Sequence, residues 1–253
     1  MLMDTSEIQV VKYKGRNYEP AADIIVREDP LEIFINGEKK YFCMRMPGMD
    51  YELGLGLLYN EGIIDSMADV DKFDAGESRI SFNIKPKIVP GFKKIYSSSG
   101  SMFSDELVVP PCQSDGKIKA ERLFFLQSEF FKMQTVFDKT GGVHACAFYT
   151  SEGKMIAFAE DVGRHNALDK CMGKAVASGR GENIFLIMLS SRISFEMIRK
   201  SFRTGAVIVA GVSASTSAAV SAADQSGVTL IGFLRGERFN IYSHPERILS
   251  IKE

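Results

Sequence analysis

The chain has no Cys-x-x-Cys pair, no surplus of positive charge, no long apolar run and no low-complexity tract. Each absence excludes something. Its four cysteines (Cys43, Cys112, Cys146 and Cys171) are scattered, which argues for reduced thiols in a cytoplasmic protein and against a disulfide framework. Lys and Arg number 31 against 32 Asp and Glu, a formal charge of −1, so the field that draws a protein onto nucleic acid or anionic lipid is missing. The longest apolar run, Ile184 to Leu189, is far too short to cross a bilayer. The start of the chain, Met-Leu-Met-Asp-Thr-Ser-Glu, lacks the basic and apolar stretches of a secretory signal. The expectation is therefore a cytoplasmic protein with no nucleic-acid or membrane partner.

What is present is ordinary globular composition, 45% apolar and 25% charged. A chain of 253 residues can remove roughly 70–75% of its unfolded surface from water without disulfides or structural metal. Runs at Ala22–Val26, Leu31–Asn36, Lys40–Met46 and Arg79–Lys85 predict strands, with Asn36-Gly37 as a hairpin turn. Between them Tyr51–Glu61 predicts a helix, with Asp50 as N-cap and Gly62 as its stop. Gly54 and Gly56 within it suit helix packing better than dinucleotide binding, because no strand leads into them. A serine-, proline- and glycine-rich stretch from Lys93 to Gly116 predicts a boundary: a strand-rich part with its linker over 1–115, and a second domain over 116–253.

Beyond that boundary the expected order is helix (Ala120–Phe137), strands (Gly142–Thr150 and Met155–Glu160), helix (Arg164–Ala177), strand (Asn183–Leu189) and helix (Phe195–Arg203). Strand (Ala206–Val212), helix (Thr216–Asp224) and strands (Val228–Phe233 and Phe239–Tyr242) complete it. Repeated strand–helix–strand units predict a three-layer α/β/α domain with a mostly parallel sheet. Ligands of such sheets bind outside the carboxyl ends of the strands. Those ends are Asp161-Val162-Gly163-Arg164-His165-Asn166, Ser190-Ser191-Arg192, Ser213-Ala214-Ser215-Thr216-Ser217 and Leu234-Arg235-Gly236-Glu237-Arg238. Three of them open helices, whose free N–H groups and dipoles favour anions, and arginine grips phosphate bidentately. A phosphate or pyrophosphate site is expected there, although serine and threonine at such junctions also serve as plain helix caps.

His144 and Cys146, two apart on a strand, face the same side and could form a Cys–His nucleophile or half a metal site. Zinc needs three or four ligands and no second cluster is found, so no metal is expected. Cys146 and Cys171 suit core positions, Cys43 a strand interior, and Cys112 an exposed loop. His244-Pro245 suits a turn.

The segments Thr140–Ala145, Glu160-Asp161-Val162-Gly163-Arg164-His165-Asn166, Ser190–Met197, Gly232–Phe233 and Tyr242–Pro245, with Leu53–Ile64 upstream, resemble the formate dehydrogenase accessory proteins (FdhD/NarQ, the sulfur carriers). The resemblance covers nearly the whole chain. It implies a cytidine-deaminase-like fold and a cytoplasmic homodimer. It also implies a sulfurtransferase role: persulfide sulfur passes from a cysteine desulfurase to molybdenum bound by bis(molybdopterin guanine dinucleotide), for formate dehydrogenase. The family's nucleotide-binding segment falls on Phe233, Leu234, Arg235, Gly236, Glu237 and Arg238, and GDP should mimic the cofactor.

One departure stands out. Where the family carries its sulfur on Cys-Gly-x-Cys-Gly, this chain reads Ser99-Gly100-Ser101-Met102-Phe103. Serine cannot form a persulfide or a comparable anion near neutral pH, so the relay cannot run at Ser99. Either Cys112 has taken over, or cofactor binding is kept and transfer lost. A zinc deaminase of the same fold is the competing enzyme, but it needs His-x-Glu and Pro-Cys-x-x-Cys, and His144 is followed by Ala145 and Cys146. A pure interaction chaperone for the dehydrogenase is the third alternative.

Overall fold

A computed structural model describes residues 4–85, 95–96, 102–103 and 116–250. The chain opens with a long antiparallel hairpin, β1 (Thr5–Lys14) and β2 (Asn17–Val26). The sequence reading found only the end of β2, because the ribbon lies exposed and lacks a strict polar–apolar alternation. β3 (Asp29–Ile35) and β4 (Glu38–Arg45) follow as a hairpin about Asn36 and Gly37, both at positive φ.

Helix α1 (Asp50–Asn60) starts one residue earlier than expected. Asp50 does not cap it. Met49 occupies the cap position in the left-handed region, while both Asp50 oxygens accept from Arg45, at 2.9 and 2.7 Å. β5 (Val70–Ala75), not foreseen because three of its six residues are charged and five are exposed, pairs with β6 (Arg79–Ile84). The resulting sheet, in order β4-β3-β6-β5, turns Leu31, Ile33, Ile80 and Phe82 onto α1. Two-residue strands β7 (Ile95–Tyr96), β8 (Met102–Phe103) and β9 (Ile118–Lys119) come next.

The single helix expected over Ala120–Phe137 is two: α2 (Ala120–Lys132) and α3 (Thr135–Thr140). The buried Glu160 carboxylate accepts from the Val136 and Phe137 amides at 3.1 and 2.9 Å. That acceptor satisfies two free donors of a new helix start, which rewards a break over continuation.

The main sheet contains β10 (His144–Tyr149), β11 (Met155–Asp161), β12 (Leu186–Leu189), β13 (Ile208–Gly211), β14 (Thr229–Arg235) and β15 (Arg238–Ser243). Between them run α4 (Arg164–Ala177), α5 (Phe195–Phe202) and α6 (Ser217–Gln225), and β16 (Ile248–Leu249) closes on β9. Sheet order is β11-β10-β12-β13-β14-β15. It is not mostly parallel, as the element order suggested. Only β12–β13 and β13–β14 pair in parallel; β10 runs against β11 and β12, and β15 against β14. Tight turns at Gly153 and Gly236, both at positive φ, force the β10–β11 and β14–β15 pairs to be antiparallel.

Alternate residues of β10 enter different cores. Cys146 and Phe148 pack with α4, α5 and α6; Ala145, Ala147 and Tyr149 pack with α2. The first of these cores continues without interruption into α1 and its sheet. The junction is a helix crossing at glycine: a Cβ on Gly56 would collide with the Asp169 carbonyl, and one on Gly173 with the Glu52 carbonyl. Backbones meet only because side chains are absent. The architecture is mixed α/β, with several sheets and helices.

Candidate functional site

The strand ends meet along one edge of the main sheet. His144 opens β10 opposite Asp161, the last residue of β11. Ala145 N donates to Ser190 Oγ at 2.8 Å, and Ser190 N returns a bond to Ala145 O at 3.0 Å. Ile193 N donates to Ala214 O at 3.0 Å, tying the loop after β12 to that after β13. Phe233 N donates to Ser213 O at 3.0 Å, and Arg235 Nε to Val212 O at 3.0 Å. All four junctions therefore form a continuous rim, and α4, α5 and α6 start from it.

The rim is built in two manners. In the Asp161–Asn166 turn, Asp161 is fully buried. Its oxygens accept from Gly163 N (2.9 Å), Asn166 Nδ2 (2.9 Å) and Met46 N (3.1 Å), and Lys170 Nζ lies at 2.7 Å. Asn166 Nδ2 also donates to Met44 O and Lys170 Nζ to Met46 O, both at 2.8 Å. Asp161 and Asn166 thus clamp the segment after β4 against the rim. Gly163 caps α4 without a side chain.

At the other end, Phe233, Arg235, Gly236, Glu237 and Arg238 are exposed, whereas Leu234 turns into the α2 core. Phe233 has φ 54, a left-handed conformation that costs a bulky residue on the order of 1–2 kcal/mol. Gly232 beneath it permits the close approach, since a Cβ there would meet the Tyr242 ring, Ser213 O and Ser215 Oγ.

Between these ends the field is positive. Burial, then Arg164, then Arg192 hold His144 below its ordinary value, so it is neutral near pH 7 with two guanidinium groups acting on it. Arg192 is exposed, Arg164 half-buried, Ser191 buried with its hydroxyl on the Arg192 carbonyl. Among the described residues, Arg164 Nε and the hydroxyls of Ser194 and Ser215 are buried without hydrogen-bond partners. Such groups are costly unless something meets them. Thr216 is a plain cap, its hydroxyl accepting from Ala219 N.

His165 turns inward. Its Nε2 lies 2.6 Å from Glu196 Oε2, and burial, then Lys200, then Arg164 lower it to about 4. The sequence reading left Glu196 and Ser194 out of the site. The signal available was the pair of four-residue spacings His165–Asp169 and Glu196–Lys200, which sets ionisable groups in line on one face of each helix.

The described cysteines are unsuited to nucleophilic work. Burial first, then the charges of Asp161 and Asp169, pushes Cys43 up to about 12. Burial and a hydrogen bond with Cys171 raise Cys146 well above the ordinary thiol value. Cys171 Sγ also donates to Cys146 O at 3.1 Å. Ser99 and Cys112 lie outside the described residues.

Comparison with known proteins assigns the chain. Residues 26–249 match the model of the FdhD/NarQ family. The sulfur carrier protein FdhD of Sulfolobus acidocaldarius is 37% identical over 257 residues, covering 97% of this chain and 99% of that protein. Its namesake in Thermoplasma acidophilum is 35% identical, over 97% and 94%. Among solved structures, a Desulfotalea psychrophila protein assigned as a formate dehydrogenase accessory protein shares the fold. Its TM-score is 0.80 and its identity 23%, over 97% of this chain and all of that one. A family match spanning most of the chain, with relatives above 30% identity end to end, makes this protein a member of the FdhD/NarQ family.

Proposed function

We propose that the protein is a formate dehydrogenase accessory protein that holds bis(molybdopterin guanine dinucleotide), with its molybdenum, at the rim. One observation carries this reading. Arg164 and Arg192 act together on a neutral His144 where three helices begin, while Arg164 Nε, Ser194 Oγ and Ser215 Oγ are buried and unmet. A diphosphate supplies the charge and acceptors those groups lack. Phe233, exposed and held at positive φ, offers a face on which a guanine can stack, with Arg235 and Arg238 beside it. Gly236, with nothing near its Cβ position, keeps that end open to a bulky ligand.

The relatives are named as sulfur carriers. In this chain Ser99 cannot take up sulfur, and Cys43, Cys146 and Cys171 are buried or held as thiols. The reading is therefore of a cofactor holder, working as a cytoplasmic homodimer, in a fold akin to cytidine deaminases. A cysteine desulfurase is a partner only if Cys112 serves.

GDP titration by calorimetry tests the holder. Saturable binding is expected, weakened about tenfold in Arg164→Ala, the order of one lost charge-assisted contact. No heat at millimolar GDP would leave a chaperone acting by protein contacts alone. Incubation with a desulfurase and cysteine, followed by intact-mass analysis, tests transfer. A sulfane adduct that Cys112→Ala abolishes would restore the carrier role.

A further inference from the structure

Beside the rim lie four charged or titratable side chains that the proposed site does not use, three of them buried and His165 nearly so. His165 and Asp169 stand one turn apart on α4; Glu196 and Lys200 stand one turn apart on α5. They face each other in two rungs. His165 Nε2 is 2.6 Å from Glu196 Oε2, and Lys200 Nζ is 2.5 Å from Asp169 Oδ2. Asn60 Nδ2, reaching over from α1, donates to the other Asp169 oxygen at 2.6 Å. A neutral imidazole faces a carboxylate in one rung and an ammonium faces a carboxylate in the other, and each rung joins equivalent turns of the two helices. His165 and Glu196 are both second residues of their helices, Asp169 and Lys200 both sixth. The helices are thus locked side by side, pointing the same way, with their N-termini level.

Glu196 is out of place in one respect. A carboxylate in the first turn of a helix that receives an anion repels the anion it should welcome. Here the group is buried and drawn sideways onto His165. His165 follows directly on Arg164, whose Nε is one of the unmet donors of the rim.

We propose that Glu196 is a positioning residue: by holding His165 it fixes the N-terminus of α4, and Arg164 with it, level with the N-terminus of α5 for one diphosphate. This rests on the rim being the nucleotide site. It assigns Glu196 no contact with the ligand and His165 an inward, supporting part.

The direction of the effect separates positioning from background charge. Were Glu196 only a nearby negative charge, removing it would tighten GDP binding. Positioning requires the opposite. In calorimetric titrations of the whole protein, Glu196→Ala should weaken GDP binding at least about tenfold, as loss of an orienting partner commonly does. Glu196→Gln, which keeps the acceptor oxygen and discards the charge, should restore binding to within about threefold of the parent. Glu196→Asp keeps the charge but withdraws it by one methylene, and should fall between; it serves if the alanine variant does not fold. Unchanged or tighter binding in both Glu196→Ala and Glu196→Asp overturns the proposal, as does a glutamine variant no better than alanine. A parent protein that ignores GDP overturns the rim reading itself, and this inference with it. A parent that binds while the variants behave alike overturns the inference alone.

Discussion

The two ends of the rim are close in composition and opposite in use. At the Asp161–Asn166 turn both Asp161 oxygens and the Asn166 amide nitrogen are engaged with each other, Gly163, Lys170 or the Met44–Met46 backbone, and the aspartate is out of water. At the Phe233–Arg238 turn the side chains stand in solvent around a residue in a disfavoured conformation. The first end is architecture that sets Arg164 in place; the second is surface kept available. A polar turn at a strand end is thus not evidence of a ligand until its partners have been traced.

The difference can be broken most forcefully at Asp161. Asp161→Ala strands Lys170 as an uncompensated buried charge and should cost about 3–5 kcal/mol in urea unfolding. A loss below about 1 kcal/mol would show that the clamp does not hold this end together. Acid should act on the same end. His165 is held near 4 in the folded chain against about 6.5 unfolded, so the unfolded state binds the extra proton first. Stability is then complete above about pH 6.5 and declines as pH falls towards 4, by on the order of 2–3 kcal/mol. Denaturant midpoints across that window, compared with His165→Gln, measure the share owed to this ring.

The exposed end should respond through binding alone. Arg238→Ala and Phe233→Ala should each leave unfolding within about 0.5 kcal/mol of the parent while weakening GDP binding several-fold to about tenfold. Equal losses of stability would mean that this turn, too, is structural. Smallest is Phe233→Gly, which relieves the positive φ. It should raise stability by up to about 1 kcal/mol and still weaken GDP, separating strain from stacking.

How much of this was legible depended on whether the deciding contact was local. The three helices that open at the rim, the Gly62 stop and the core positions of Cys146 and Cys171 follow from periodicity and capping, which act within a few residues. The gathering of His144, Ser190, Ser213 and Phe233 on one edge follows from strand order, and the structure places them so. Strand direction was not legible, because an element order does not say whether a strand returns by hairpin or by crossover. The split at Met133 was hidden because its cause, Glu160, lies on another strand. Asp161 and Asn166 read as ligand-facing because the Met44–Met46 backbone they bind stands more than a hundred positions away. Glu196 drew no notice in the sequence because its partner, His165, is on a neighbouring helix.

The side-chain-free crossing of α1 and α4 has a consequence for biogenesis. Gly56 leaves the ribosome long before Gly173 is translated, so the face of α1 that meets α4, unlike the face on its own sheet, must wait uncovered through much of synthesis. The nascent amino-terminal segment should depend on a holding chaperone until its carboxyl-terminal counterpart arrives, and premature termination anywhere before α4 should yield a product destined for proteolysis.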